Sequence, residues 1–328
     1  MGLFSTRTLD VLTMGRIGVD IYPLQPGLGL EQVSSFGKFL GGSPTNVAVA
    51  AARLRNTAAI ITAVGDDPFG RFCRQEMTRL GVYDDFVQTM PDLNTPVTFC
   101  EIFPPDNFPL YFYRRPTAPD LQLAPDHLPL EAISDAAVFC FTTTGLSQEP
   151  SRAAHHAALE ARGRRPHTIL DLDYRDAFWP DEQAARAVIA EVLPQASVVI
   201  GNTEECRVAV GETDPDKAAE ALLAAGVDIA VVKQGPHGVL ARTKDTRVEV
   251  AGAIIDVVNG LGAGDAFGGT FCHGLLRGWP LSDTLVAASA AGALVATRLE
   301  CSEAMPTEPE LLAMVRAHEE LLVHEEAR

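Results

Sequence analysis

Positive charge is scarce in this sequence. Lysine occurs only at Lys38, Lys217, Lys233 and Lys244, and 26 Lys and Arg face 43 Asp and Glu, for a formal charge of −17. Nucleic acids and anionic membranes reward a basic face, so neither is an expected partner. A small anionic substrate stays open, because a pocket can be locally basic within an acidic protein. Long apolar runs are also missing: none approaches the roughly 18 residues a bilayer span needs. The first residues reach Asp10 before an apolar stretch can develop, which argues against a secretory signal. Gly2 followed by Ser5 and Thr6 matches an acylation start only at the level chance supplies. Closely spaced cysteines are absent, the nearest pair of the six being Cys73 and Cys100, so zinc-knuckle and CxxC chemistry are excluded. Several cysteines, such as Cys140 in Ala-Val-Phe-Cys-Phe, sit in apolar runs that predict buried, reduced thiols and a cytoplasmic setting. No Gly-x-x-x-x-Gly-Lys-[Ser/Thr] occurs, and no Gly-x-Gly-x-x-Gly follows the first apolar run. P-loop and dinucleotide-binding readings therefore lose their main support.

What is present is an alternating α/β pattern through 328 residues that are 47% hydrophobic. Val11–Ile17, Ala58–Val64, Ala137–Phe141, Thr168–Leu172, Ser197–Ile200 and Ile229–Val232 are short, apolar and rich in branched residues. Strands buried on both faces of a parallel sheet read this way. Between them, Val47/Ala51/Leu54, Ala218/Leu222 and Phe267/Phe271/Leu275 recur at helical spacing. Right-handed crossovers then imply a doubly wound, mostly parallel sheet flanked by helices. Two segments break the rhythm. About 21–40 carries Pro23, Pro26, Gly27 and Gly29, and about 97–116 holds two apolar runs around Pro-Pro-Asp-Asn, the pattern of a hairpin. Together they predict a small β lid inserted into one domain spanning 1–328. Asp181–Pro194 reads as a helix, and Thr307–Leu322 as a final helix opened by a Thr-x-x-Glu box. His155 and His156, adjacent in an Ala-rich helical stretch, read as a solvated face rather than a metal site.

The stretch Asn259-Gly-Leu-Gly-Ala-Gly-Asp265-Ala-Phe-Gly-Gly carries the clearest chemistry. Gly262, Ala263 and Gly264 are small enough for successive backbone N–H groups to converge on an anion at the start of a helix. Phosphoryl transfer spreads charge over oxygens and needs such fixed donors. Asp265 would then stand beside the transferring group, placed to accept a hydroxyl proton. Alone, the stretch is equally a glycine-rich turn with Asp265 as a helix cap.

A second motif, Gly41-Gly42-Ser-Pro-Thr-Asn46-Val-Ala, lies about 215 residues upstream. Paired glycines let a sugar approach the backbone, and Asn46 offers a donor and an acceptor to hydroxyls. The two motifs in this order resemble the ribokinase-like (PfkB) carbohydrate kinases. The resemblance implies that fold, ATP with Mg2+ as the phosphoryl source, and a sugar hydroxyl as acceptor. It implies further that Asp20 binds sugar hydroxyls and that Asn202-Thr-Glu-Glu205 helps hold magnesium through water, with Asn202 near the phosphates. Lys233-Gln-Gly235-Pro-His-Gly238 resembles the family's nucleotide loop, and Ala287–Ala296 would flank the adenine. These segments also read as a loop carboxylate, a common polar pattern, plain turns and a packed helix.

A narrower resemblance rests on Gly15-Arg-Ile-Gly-Val-Asp20, Phe39–Asn46, Asp171-Leu-Asp-Tyr-Arg175 and Ser302-Glu-Ala-Met-Pro-Thr307. Together they look like the 5-dehydro-2-deoxygluconokinases of inositol breakdown, which phosphorylate the 6-hydroxyl of a keto-deoxy sugar acid. A sugar acid needs a cation; Arg114 on the lid hairpin is the leading candidate, followed by Arg175 and Lys38. Where many relatives carry Asp-Thr for a monovalent cation, this chain has Asn259 and Gly260, which puts that dependence in doubt. Exposed lid strands make a homodimer through the lid an expectation. Same-fold kinases for 2-keto-3-deoxygluconate, fructose or a nucleoside remain alternatives, as does a non-catalytic sugar or nucleotide sensor.

Overall fold

The six apolar runs form parallel strands of one sheet in the computed structural model, which describes residues 8–317 and 323–327. Val11–Met14 is an interior strand toward one end of that sheet. Val11 sits opposite Ala58 on one side and Val138 on the other, both pairings parallel. The chain therefore winds first to Ala58–Gly65, then returns to Val138–Thr142 and proceeds through Thr168–Asp171, Val198–Asn202 and Ile229–Lys233. Such a reversal opens a crevice beyond the carboxyl ends of the strands, where α/β proteins bind ligands. Alternate strand residues feed two cores. Val11, Ile60, Cys140 and Val231 pack under helices Ser43–Arg53, Ala263–Arg277 and Leu281–Ala296. Leu12, Ile61, Phe141 and Val232 pack under Ser151–Arg162, Glu182–Val192 and Pro215–Ala224. Each fully buried aliphatic side chain contributes about 1.5–3 kcal/mol, so both faces of the sheet are held.

A second sheet of four strands has the order Phe36–Gly41, Gly18–Pro23, Val97–Cys100 and Leu110–Tyr113. Its last pair is antiparallel, with Val97 opposite Tyr113. It projects from the carboxyl end of Val11–Met14 and overhangs the crevice, since Leu110 and Phe112 line a cavity there.

Three features depart from the sequence-based expectation. The main sheet continues past Ile229–Lys233 through antiparallel strands Val239–Arg242, Thr246–Val250 and Val323–Ala327. The described part of the final helix is Glu308–Ala317, and the expected continuation over 318–322 lies outside the described residues, as does the N-terminal 1–7 stretch. The expected Thr-x-x-Glu box is half formed: Glu310 accepts from both the Thr307 amide (2.8 Å) and its hydroxyl (2.6 Å). His155 is not on a solvated face. It is buried against Phe141, its Nδ1 bonds the Ser151 carbonyl at 2.8 Å, and burial pushes its pKa down to about 4. Adjacent helical residues diverge by about 100°, so one imidazole enters the core while His156 does not.

Candidate active site

The N-terminus of helix Ala263–Arg277 is the centre of the site. Gly262 takes φ +82° as its N-cap, and a Cβ there would lie 2.9 Å from the Cys301 sulfur. No side chain caps this end. The first N–H groups have no intrahelical carbonyl to meet, and the helix dipole favours negative charge beside them. Helix Ser43–Arg53 begins next to it after Gly42. With φ at +106° and the Arg16 carbonyl oxygen 2.4 Å from where a Cβ would stand, that position admits only glycine. The two helices meet through Gly269, where a Cβ would stand 2.4 Å from that of Ala50 and 2.7 Å from the Val47 carbonyl. That close approach delivers two donors to one acid. Ser43 Oγ donates to Asp265 Oδ1 and Asn46 Nδ2 to Oδ2, both at 2.7 Å. The single hydroxyl hydrogen of Ser302 is shared between Asn46 Oδ1 and the Leu40 carbonyl, and an amide oxygen facing Ser302 turns the NH2 toward Asp265.

Burial raises the pKa of Asp265 and the negative Asp173 raises it further; Asn46, Ser43 and Arg16 oppose. Its basicity therefore exceeds that of an exposed carboxylate, which suits proton acceptance. Asp20, on the lid strand Gly18–Pro23, accepts from Tyr22 Oη at 2.9 Å. Burial lifts its pKa to about 6, against the Tyr22 bond and Arg16, and Asp265 adds to the rise. Gly41 is what lets Asp20 sit there, since a Cβ would fall 2.2 Å from its carboxyl carbon.

Two cavities meet at residues 262–265. One, about 40 Å³, is lined by Asp20, Gly42, Asn46, Arg175, Gly262 and Asp265, with Arg16, Ser43, Phe112 and Cys301 among its other walls. The other, about 650 Å³, lies across the helix start between Lys233, Gly235 and Gly238 on one side and Ala263, Gly264 and the Ser289–Ala296 face on the other. Its walls are mostly apolar, with Val239, Ile255, Val257 and Phe267. Lys233 reaches the boundary: a Cβ on Gly264 would lie 3.1 Å from its Nζ. Burial works against its charge, but Asp171, Glu205 and Asp265 hold its pKa up.

Asn202 stands opposite Lys233 in the strand register. It caps helix Thr203–Val210 reciprocally with Glu205: Glu205 N donates to Asn202 Oδ1 (2.8 Å) and Asn202 N to Glu205 Oε2 (2.7 Å). The Asn-x-x-Glu motif thus closes a helix N-terminus and leaves Glu205 Oε1 outside that cap. Among the described residues no three His, Cys, Asp or Glu converge as metal ligands.

Arg114 is not brought to the Asp265 cavity. It donates to Asp120 at 2.7 Å, lies 4.8 Å from the Phe178 ring centroid and lines a neighbouring groove. Lys38 sits over the Phe72 ring at 3.7 Å. Arg175 does face the cavity. Asn46, read as a sugar contact, has its carbonyl taken by Ser302 and one N–H by Asp265. Asn259 is fully buried; its amide donates to the Leu299 carbonyl (2.8 Å) and accepts from Leu261 N (3.1 Å). Sequence reasoning missed Ser43, Ser302, Arg16, Asp171 and Asp173 as site residues. The signal for the acids was available in Asp171-Leu-Asp-Tyr-Arg175, whose charged residues alternate directly after a buried strand.

This combination, a ribokinase-like sheet with a lid and an acid at an anion-ready helix start, defines a class. The chain belongs to the pfkB family of carbohydrate kinases, whose profile matches residues 8–308, and is a phosphotransferase. Within the family it is similar to proteins named 5-dehydro-2-deoxygluconokinase. That of Photobacterium profundum is 34% identical over 98% of each chain, and that of Clostridium tetani 32% identical over 96% of this chain and 95% of its own. The fold also matches a putative ribokinase II from E. coli solved with ATP and Mg2+. Its TM-score is 0.86 at 23% identity, covering 94% of this chain and 100% of that one.

Proposed function

We propose that the protein transfers the γ-phosphoryl group of Mg-ATP to the 6-hydroxyl of 5-dehydro-2-deoxy-D-gluconate, a step of inositol catabolism, with Asp265 as general base. The observation carrying this reading is the meeting of the two cavities at 262–265, with Asp265 held by Ser43 and Asn46 at the junction. The substrate is argued from the names of the relatives and from the arginine facing the smaller cavity. Nucleotide would occupy the larger groove along Lys233, Gly235 and Gly238, with its base against the Ser289–Ala296 face. When bound, Mg2+ supplies charge neutralisation at the phosphates, and the fit of Asn202 and Glu205 is through water.

The sugar's place is against Asp20, Gly41, Gly42 and Asn46. Asp265 draws the proton from the hydroxyl as its oxygen bonds to phosphorus and the bond to the ADP oxygen breaks. The N–H groups of Gly264 and Asp265, at the helix start, and Lys233 stabilise charge on the moving group's oxygens. The lid strands exclude water, which competes as acceptor. Arg114, engaged with Asp120, is the weaker claimant for the substrate carboxylate, and Arg175 the stronger.

The setting is the cytoplasm, a reading supported by six free, buried cysteines. Among the described residues no helix is long and apolar enough to cross a membrane. A homodimer through the lid is supported by Leu24, Phe36, Tyr111 and Tyr113, which are 39–67% exposed on and beside that sheet. Single-turnover measurement of [γ-32P]ATP with the sugar acid tests the reaction. Label appearing in a sugar 6-phosphate supports it; ATP bound without transfer to any sugar would make the protein a sensor.

A further inference from the structure

We propose that Arg16 is a specificity-determining residue: with Arg175 it forms a two-guanidinium seat for the substrate's carboxylate, both arginines being held by Asp173. The inference rests on the sugar-acid reading above and adds to it the residue that reads the acid.

Arg16 follows strand Val11–Met14 and is 9% exposed, and it lines the cavity that holds Asp265. Its Nη2 meets both carboxylate oxygens of Asp173, at 3.0 and 3.2 Å. Arg175 Nη2 stands 3.0 Å from Asp173 Oδ1. One carboxylate therefore gathers two guanidiniums, and the trio retains a unit of positive charge. In each arginine the buried Nε has no hydrogen-bond partner among the described residues. A planar guanidinium offers five donors in a fixed fork, and buried donors of this kind are satisfied by an anion of matching geometry. Phe112 of the lid strand Leu110–Tyr113 closes one face, its ring centroid 6.0 Å from the Arg16 guanidinium carbon. Arg16 is thus held in the plane by Asp173 and covered by the lid.

The other cations nearby lie outside this cavity. Arg114, whose Nε is likewise unpartnered, pairs with Asp120 in another groove, Lys38 covers Phe72, and Lys233 borders the nucleotide side. Asp173 itself adopts φ +29°, an unfavourable backbone for a non-glycine residue, while nearly fully buried. Its burial disfavours charge, but Arg16 and Arg175 together hold its pKa below the ordinary carboxylate range. It remains ionised and keeps the two guanidiniums side by side. In this arrangement the acid end of the substrate is fixed at one end of the cavity and its distal hydroxyl is left for Asp265.

The test compares wild type with Arg16→Gln and Arg16→Lys on two acceptors: 5-dehydro-2-deoxygluconate, and the neutral ketose carrying CH2OH in place of the carboxylate. We expect R16Q to raise KM for the acid about 10²-fold, as loss of one partner of a buried charge pair does. Arg16 also acts on Asp20 and Asp265, so the neutral ketose is affected too, but its KM should rise far less than that of the acid; discrimination collapses, with R16K in between. Equal losses on both acceptors would assign Arg16 a structural role and overturn the proposal, as would no change on either. If wild type turns over no sugar acid, calorimetric titration with the acid decides. Binding that R16Q abolishes keeps the carboxylate seat while the transfer reading fails; absence of binding to wild type overturns both.

Discussion

Replacing Asp265 with Asn separates catalysis from stability, because the site predicts opposite signs for the two. Asp265 accepts one hydrogen bond from the Ser43 hydroxyl and one from the Asn46 amide, each 2.7 Å long. An asparagine can keep both contacts. Its Oδ1 accepts from Asn46, and its Nδ2 donates to Ser43, whose hydroxyl rotates to become the acceptor. The Ser43 O–H and the second Nδ2–H are left to find other acceptors, a cost set against the loss of a charge whose ionisation the fold opposes. The sign follows from the raised pKa: at neutral pH the group is already charged in the unfolded chain, folding moves that charge to a place that disfavours it, and D265N removes that cost. Thermal stability should therefore hold or rise, while kcat falls by at least ~10², the loss expected for a missing general base. Asp265→Ala is the contrast. It strips the acceptor from two donors and should cost roughly 2 kcal/mol, seen as a lower denaturant midpoint. Steady-state kinetics beside urea unfolding, with ATP affinity measured by fluorescence titration, give all three readouts. Near-normal kcat in D265N would remove Asp265 from the base role, and a marked drop in its stability would refute the description of its surroundings.

The acid limb of kcat/KM should lie above the usual carboxylate range, because Asp20 titrates at about 6 and Asp265 is raised as well. Activity is then lost as pH falls through about 6, and a limb near the ordinary carboxylate pKa of about 4 in a pH profile contradicts the burial argument. Gly269→Ala forces a methyl onto Ala50 and the Val47 carbonyl, at 2.4 and 2.7 Å. It should cost about 1–3 kcal/mol in unfolding and lower kcat, since separating the helices breaks the Ser43 and Asn46 bonds to Asp265; unchanged kcat would show that the contact does not set the site. With Asn259 uncharged and its amide committed, exchanging K+ for choline at constant ionic strength should change kcat by less than about 2-fold, as a site lacking its carboxylate binds cations weakly. Tyr113→Glu, at a lid position 67% exposed, should shift sedimentation from dimer to monomer if the lid sheet is the interface; a monomeric wild type removes that interface.

The parallel strands were legible because a strand buried on both faces must be apolar throughout, and Ala58–Gly65 and Val138–Thr142 are. The sheet's antiparallel extension was not. Arg242 in Val239–Arg242 is charged and buried because Asp216 and Glu220 come to it from another helix, and no local pattern announces that. The anion-ready helix start could be read from Gly262-Ala-Gly-Asp265 since its chemistry is local in sequence. What Asp265 touches could not, because Ser43 and Asn46 arrive from over 200 residues away through the Gly269 contact. Arg16 and Asp173 are likewise 157 residues apart. Arg114 illustrates the converse: its charge and its place on the hairpin pointed to the site, and only the fold reveals Asp120 beside it. Sequence conveys which elements form and which termini are reactive, whereas the pairing of charges across elements belongs to packing.

The most direct measurement is a coupled ADP-release assay with Mg-ATP and 5-dehydro-2-deoxygluconate beside 2-keto-3-deoxygluconate, fructose, ribose and adenosine. The account predicts kcat/KM for the sugar acids at least ~10-fold above that for fructose, ribose and adenosine, in keeping with a site that reads a charged group by buried donors. Preference for fructose or adenosine would contradict the sugar-acid assignment, and silence across the panel would contradict the kinase mechanism built on Asp265.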